Sequence, residues 1–380
     1  MISMISKMQR ADRLFLCALL SLLLAGCATY PAAPPGVLPA LKNIQTITVP
    51  QQDTLAVSTE MKRFVEKYVN RQQSPEQRLR LLTQAVVHPG MLGFEYDAGQ
   101  TLTAQRAFEK GAGNCLAFTN MFIALAREVG LTAYYQDARV VPEWDEQNNA
   151  YLLAKHINVL VRLRSGDYVV DIGRRRVGES IDQHIVSDQY AKAQYYNNLG
   201  VEALLRNQIA TAFGYFERAL DADSGSDYLW SNLGVLYNRN GQPEQAIWAY
   251  HQALRINSRA LMAISNLASL YAQQGYQDKA QALLKKVEAY RQDNPYYLLM
   301  LSQKALVDMR YQEAIKILRK AIRHKDNEHR LHFALAKSFY LAGQLEQAED
   351  SYQRAKELAP DPVLRSVYSK GLGELVAPNI

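Results

Sequence analysis

The C-terminal half of the chain repeats a pattern every 34 residues, and this period restricts the fold more than any other feature. Five leucines keep this spacing without a gap: Leu199, Leu233, Leu267, Leu301 and Leu335. The same frame superposes small apolar residues at two further positions: Ala212, Ala246, Ala280, Ala314 and Ala348, then Ala219, Ala253, Val287, Ala321 and Ala355. Small residues at fixed intervals let two helices approach closely, and one such hairpin cannot bury its apolar face alone. The period therefore predicts stacked helical hairpins.

These units resemble the tetratricopeptide repeat family. The resemblance covers five units: 193–226, 227–260, 261–294, 295–328 and 329–362. It implies an all-α solenoid whose concave surface binds peptides or other proteins. Asn198, Asn232 and Asn266 recur in the frame and are candidates for hydrogen bonds to an extended peptide, although they also fit a purely structural role in the repeat. Residues 363–380 are left as a C-terminal tail or capping segment.

The N-terminus carries an export signal. Lys7, Arg10 and Arg13 precede an apolar run over 14–24 that is too short for a comfortable membrane span. The run ends in Leu-Ala-Gly-Cys, which resembles the lipobox cleaved by bacterial lipoprotein signal peptidase, so residues 1–26 are predicted to be removed. Cys27 would then be the acylated N-terminus that anchors the protein to a membrane. A plain secretory signal with a chance cysteine is the alternative.

The residues after Cys27 indicate where the anchored protein lies. Ala28 replaces the aspartate that often retains lipoproteins at the inner membrane of enteric bacteria, which favours an outer-membrane lipoprotein facing the periplasm. Residues 27–54 contain five prolines and are predicted to be an extended tether. Loss of the signal removes three basic residues and Asp12, so the net charge falls from +6 to +4. This mild excess gives no reason to predict nucleic-acid binding.

Residues 55–190 combine helical and alternating patterns. Asn114 is a good N-cap for an apolar helix that starts at Cys115, and Gly130 is a natural helix end. Apolar and polar residues then alternate over 133–141 and 156–163, and a third strand-like run covers 168–172. The patterns predict an α+β domain in which a helix packs on an antiparallel sheet.

Cys115 is the only thiol that remains if the signal is removed and Cys27 is acylated. A helix N-terminus favours the thiolate, which is the nucleophilic form of cysteine. His156 lies on a predicted strand, on the face opposite Ile157, and Asp171 lies on the next strand. Contact between His156 and Asp171 requires a longer loop or a bulge, whereas a tight turn over 165–167 shifts the partners by two or three residues along the strand. The sequence leaves this register open.

A cysteine that opens a helix, followed by a strand histidine and a strand aspartate, resembles the transglutaminase-like superfamily of papain-type folds. The resemblance covers about 55–190 and implies that Cys115 is the nucleophile, His156 the general base and acid, and Asp171 the residue that orients the imidazole. The backbone N–H of Cys115 is a candidate oxyanion donor, with Asn114 or Gln136 as the second. A small buried residue is the alternative for Cys115.

Two functions follow from these features. The first is a cysteine-dependent acyl-transfer enzyme, either a peptidase or amidase or a transglutaminase, to which the repeats deliver a protein or peptide substrate. The second is a lipid-anchored adaptor without activity that assembles envelope proteins through its repeats. The remaining histidines share no metal-ligand spacing, and no glycine-rich phosphate loop is present. We predict neither a metal site nor a cofactor.

Overall fold

The computed structural model describes residues 38–140, 143–145, 150–152, 155–172, 180–359, 365 and 368. A mixed α/β region comes first and a series of helical hairpins follows it, which confirms the predicted fold class. The signal segment and Cys27 lie outside the described residues. Among the described helices, none has the length and apolar character needed to cross a membrane.

Four helices belong to the mixed region: α1 (Thr59–Tyr68), α2 (Pro75–Val87), α3 (Ala104–Lys110) and α4 (Cys115–Glu128). Ser58 and Ser74 cap the first two, each accepting a hydrogen bond from a backbone N–H of the first turn. In α4 every residue from 116 to 126 is buried. This helix is therefore enclosed on all sides, whereas the sequence predicted one apolar stripe.

The main sheet contains β3 (Thr132–Val140), β6 (Lys155–Leu163), β7 (Gly166–Val170) and β8 (Ser180–Val186). All pairs are antiparallel and the order is β7-β6-β3-β8. The sequence predicted the first three strands. It missed β8, whose residues 183–185 are exposed at one edge of the sheet, because an exposed strand lacks a strong apolar alternation.

Two short pairs flank this sheet. Strands β1 (Glu95–Tyr96) and β2 (Ala112–Gly113) pair in parallel directly before α4, and β4 (Glu143–Asp145) pairs with β5 (Ala150–Leu152). A Cβ at Gly113 would lie 2.6 Å from the Cβ of Ala117. Glycine thus lets β2 approach the first turn of α4 closely enough to set the entry angle of that helix.

Ten helices form five hairpins: α5 (Asp188–Leu205) with α6 (Ile209–Ala222), α7 (Asp227–Arg239) with α8 (Pro243–Ile256), α9 (Leu261–Gln273) with α10 (Gln277–Asp293), α11 (Pro295–Val307) with α12 (Tyr311–His324), and α13 (His329–Leu341) with α14 (Leu345–Leu358). Close packing explains the small residues of the repeat. A Cβ at Gly234 would lie 2.4 Å from the ring of Tyr250, and both residues are buried. In this hairpin the ring of Tyr250 therefore fills the space that Gly234 leaves on the facing helix.

Helix α5 joins the two regions. Its N-terminal Asp188 forms a paired ion contact with Arg127 of α4, and Arg127 also donates to the Ala133 carbonyl on β3. Two residues further along, the Tyr190 hydroxyl donates to the buried Asp137 of β3 at 2.6 Å. The first helix of the solenoid is thus bonded to the sheet that carries the predicted histidine.

The predicted tether over 27–54 needs a correction, because residues 40–54 lie against the solenoid. The segment has no helix or strand and turns at residues 42–43, and Leu41 and Val49 are buried. The Lys42 N–H donates to Gln242 Oε1 and the Arg218 side chain donates to the Val49 carbonyl, both at 2.9 Å. We call residues 40–54 the strap. It belongs to the folded unit and does not act as a free spacer.

The strap offers a direct test at Gly214 on α6. A Cβ there would lie 2.3 Å from the Ile47 carbonyl oxygen, so Gly214→Leu should expel the strap while raising the intrinsic helix propensity of α6. We expect faster hydrogen exchange and proteolysis within residues 40–54. Glu217→Leu, at an exposed position of the same helix, is the control. Unchanged protection of the strap in Gly214→Leu would contradict this packing.

Candidate active site

Cys115 is the first residue of α4, where backbone N–H groups lack intrahelical partners and favour a negative charge. Asn114 is the N-cap: its Oδ1 accepts from the Ala117 N–H at 3.0 Å, and its Nδ2 donates to Thr101 Oγ1 at 2.8 Å. Cys115 is only partly covered. A partly exposed sulfur at a capped helix start is the environment that a reactive thiolate requires.

His156, at the start of β6, lies between Asp171 and Cys115. Its Nε2 is 2.5 Å from Asp171 Oδ2, and its side chain is 14% exposed. Burial lowers the pKa of His156, but the hydrogen bonds to Asp171 and Cys115 outweigh it and raise the pKa to about 10. The imidazole is thus positively charged at neutral pH, beside the sulfur.

The register of the β6–β7 hairpin explains how His156 reaches Asp171. Leu163 pairs with Gly166 and Val159 with Val170, so the turn has only two residues. If the same register continues by one residue, Asp171 lies opposite Asn158. Asp171 is then the diagonal neighbour of His156 on the same face of the sheet. Diagonal neighbours are within reach of long side chains. The expectation that contact needs a longer loop or a bulge was therefore wrong.

The two weaker oxyanion candidates have different surroundings. The side chain of Asn114 is used in the helix cap and in its bond to Thr101, so the structure gives it a structural role. Gln136 is buried on β3, opposite Asn158, and therefore on the face of the sheet that carries His156. Its Oε1 has no hydrogen-bond partner among the described residues.

Two further residues, Thr101 and Asn158, belong to this site and were not predicted from the sequence. Thr101 holds the amide of Asn114 and thereby the start of α4. Asn158 is 3% exposed, lies opposite Gln136 and shares the face of the sheet that carries His156. The alternation of β6 placed Asn158 on the histidine face, which was a usable signal. The contact of Thr101 depends on tertiary packing and left no signal in the sequence.

The recurring asparagines lie half-buried on the first helices of their hairpins. Asn232 Nδ2 donates to Asn197 Oδ1 at 2.7 Å, across the first two units. Both residues line a small pocket of about 130 Å³, together with residues of α9. Asn198 and Asn266 are not among its lining residues. The structure thus puts one of the three predicted asparagines at a pocket and uses it in a contact between repeats.

Comparison with known families agrees with the architecture. The Transglutaminase-like superfamily model matches residues 62–199, and Tetratricopeptide repeat models match residues 215–247 and 308–371. A transglutaminase-like domain is therefore followed by tetratricopeptide repeats, as predicted. The first match extends into α5, the helix that also begins the solenoid. No curated protein matches the chain.

The solved structures that resemble the chain each cover about half of it. MamA 41-end from Desulfovibrio magneticus RS-1 is 17% identical, covers 45% of this chain and 96% of its own, with a TM-score of 0.26. The Pseudomonas aeruginosa pilF structure is 18% identical, with coverage of 50% and 86% and a TM-score of 0.27. YrrB, described as a TPR protein with an unusual peptide-binding site, is 15% identical, with coverage of 47% and 92% and a TM-score of 0.25.

Proposed function

We propose that this chain, a transglutaminase-like domain with tetratricopeptide repeats, is a cysteine-dependent acyl-transfer enzyme that acts on proteins or peptides. One observation carries the proposal: His156 is hydrogen-bonded to Asp171 and to the sulfur of Cys115 at the start of a helix. A nucleophile, a base and an orienting carboxylate in contact are what thiol acyl transfer needs. Acylation of Cys27, with the protein facing the periplasm, is part of the same proposal.

The reaction divides into two steps at Cys115. The thiolate attacks the carbonyl carbon of an amide, and the backbone N–H of Cys115 donates to the oxygen on which charge develops. When the C–N bond breaks, His156 gives its proton to the departing amine and a thioester remains. Neutral His156 then takes a proton from water, in hydrolysis, or from a second amine, in transfer, and that group releases the acyl product. Asp171 holds the imidazole orientation throughout.

The repeats supply a second surface for the same substrate or for protein partners. Binding of a remote part of the substrate raises its effective concentration at Cys115 without further catalytic groups. An adaptor without activity would use only this surface. An adaptor function does not explain why the side chains of Cys115, His156 and Asp171 lie together, so the geometry favours the enzyme.

Alkylation of Cys115 by iodoacetamide tests the proposal. Because His156 keeps its positive charge beside the sulfur up to about pH 10, we expect the native protein at about pH 6 to react at least about tenfold faster than His156→Ala. The difference in alkylation rate between the native protein and His156→Ala should become smaller in strong alkali, where a thiol ionises without a neighbouring cation. Peptide mass mapping measures the labelling of Cys115.

His184→Ala is the matched control, because His184 is an exposed histidine of the same sheet. It should react like the native protein. Equal rates in native protein and His156→Ala at about pH 6 would show that the thiol is not activated by the imidazole, and would leave the adaptor as the better description.

A further inference from the structure

A groove of about 790 Å³ lies between α2 and β7, next to the proposed active site. Its walls come from one face of the helix and from the outermost strand of the sheet. The apolar side chains of the lining include Leu79, Val87, Tyr168, Val169 and Val170. Val87, Tyr168 and Val169 are each 40% exposed or more. Exposed apolar side chains around one concavity are typical of a binding surface.

The groove has a closed end and an end at the catalytic residues. At the start of α2, Glu76 accepts a hydrogen bond from the Ser165 hydroxyl at 2.9 Å, which joins the helix to the β6–β7 turn. At the other end, the lining includes His88 and Asp171, and Asp171 is the residue that holds His156. A five-residue strand spans about 17 Å, so the groove accommodates about five extended residues.

Strand β7 is an edge of the main sheet, and no described strand pairs with its outer side. Three of the groove-lining residues, Tyr168, Val169 and Val170, therefore belong to the strand whose edge is open. Edge strands present backbone N–H and C=O groups to which an extended peptide can add as a further strand. Main-chain bonds to the edge then provide affinity, and pockets between strand and helix select the side chains.

We propose that this groove binds an extended apolar segment of the protein substrate as an added strand on β7, which leads the scissile carbonyl towards Cys115. This inference rests on the proposed acyl-transfer function and names its substrate class. His156 is hydrogen-bonded to Asp171 at the open end of the groove, and its imidazole lies beside the sulfur of Cys115. Glu76 and Arg80 carry opposite charges and the Asp171 carboxylate is paired with His156, so the lining has no unpaired charge that would select an acidic or basic segment.

The test compares peptidyl chloromethyl ketones with iodoacetamide as labels of Cys115. An acetyl-Val-Val-Leu chloromethyl ketone should label the native protein at least about tenfold faster than the acetyl-Glu-Glu-Glu analogue. Val169→Asp should lower the ratio of the apolar label's rate to the iodoacetamide rate of the same variant by about tenfold or more, because a carboxylate in an apolar groove loses solvation when an apolar segment binds beside it. N-methylation of the peptide amides should also slow labelling, since it removes strand hydrogen bonds.

Ile185→Asp is the matched control, because Ile185 is 42% exposed on the opposite edge strand and Val169 is 40% exposed on β7. It should change neither rate. Equal peptide labelling of Val169→Asp and native protein would overturn the groove assignment. Faster labelling by a fatty acyl chloromethyl ketone, insensitive to amide methylation, would overturn it in favour of a lipid chain. A dimer that Val169→Asp dissociates would overturn it in favour of a second copy of β7.

The two proposals fail separately in this experiment. If iodoacetamide labelling lacks the dependence on His156, the acyl-transfer function fails. If that dependence holds while the peptide labels do not discriminate, only the groove fails.

Discussion

Asp171→Asn should lower the pKa of His156 from about 10 and slow the acylation of Cys115 by about 100-fold or more. The asparagine is nearly isosteric, but its amide has no negative charge to stabilise the imidazolium. Burial lowers the pKa of His156, and without the carboxylate less remains to raise it. Carbon-13 NMR of the histidine Cε1 should follow the titration, and the mass increase from p-nitrophenyl acetate should follow the acylation.

The sign of this effect is fixed by the charge of the group. A raised histidine pKa means that the folded protein favours the protonated ring, and removal of its carboxylate partner favours the neutral ring. At neutral pH the variant should therefore lose the cation that stabilises the thiolate. Alkylation by iodoacetamide at about pH 6 should fall together with acylation, which a merely structural defect elsewhere would not produce.

Asp167→Asn provides the control for the same hairpin. Asp167 is an exposed carboxylate of β7 that pairs with Arg162 at 2.8 Å, and exposed ion pairs contribute little to stability. It should leave the pKa of His156 and the acylation rate unchanged. A native-like titration of His156 in Asp171→Asn would contradict the assigned contact.

The sequence was sufficient for the architecture because each pattern there is repeated or local. The period of the solenoid appears at three aligned positions in five units, so a single departure such as Val287 does not hide it. The N-caps Ser58, Ser74 and Asn114 depend on contacts within one turn. Each of these cap residues directly precedes the helix that it starts, so the helix start can be predicted from neighbouring residues.

The site required information that local patterns do not contain. The sequence identifies His156 and Asp171, but their contact depends on the strand register, and the expectation that this contact needs a longer loop or a bulge was wrong. The error came from considering only directly opposed residues, whereas the observed contact is diagonal. The alternation of β6 puts Asn158 on the face of His156, but its burial opposite Gln136 depends on the pairing of two strands and is not visible in the sequence.

The strap was unpredictable for a related reason. Its prolines and lack of period are typical of a linker. What holds it are side chains such as Arg218 and Gln242, separated from it by 169 and 200 residues. Composition indicates that residues 40–54 form no helix or strand alone. Whether the segment packs depends on the solenoid surface, which comes from distant residues.

Cys115→Ala should abolish acylation by p-nitrophenyl acetate, with a loss of about 1000-fold or more, and should leave the fold intact. The sulfur is the atom that forms the thioester, so neither His156 nor Asp171 can replace it. Alanine has the highest helix propensity, and the cap at Asn114 does not involve the thiol. Circular dichroism and the thermal midpoint should therefore match those of the native protein.

The same variant tests whether catalysis and partner binding are separate. The solenoid begins at α5, and its pocket at Asn197 and Asn232 is formed without residues of α4. Cross-linking in intact cells should therefore recover the same partner proteins with Cys115→Ala as with the native protein, while Asn232→Asp, which puts a charge into that pocket, should change the set of partners. Loss of these partners in a folded Cys115→Ala protein would show that the repeats hold substrates only through the thioester, and would contradict an independent binding role for the solenoid.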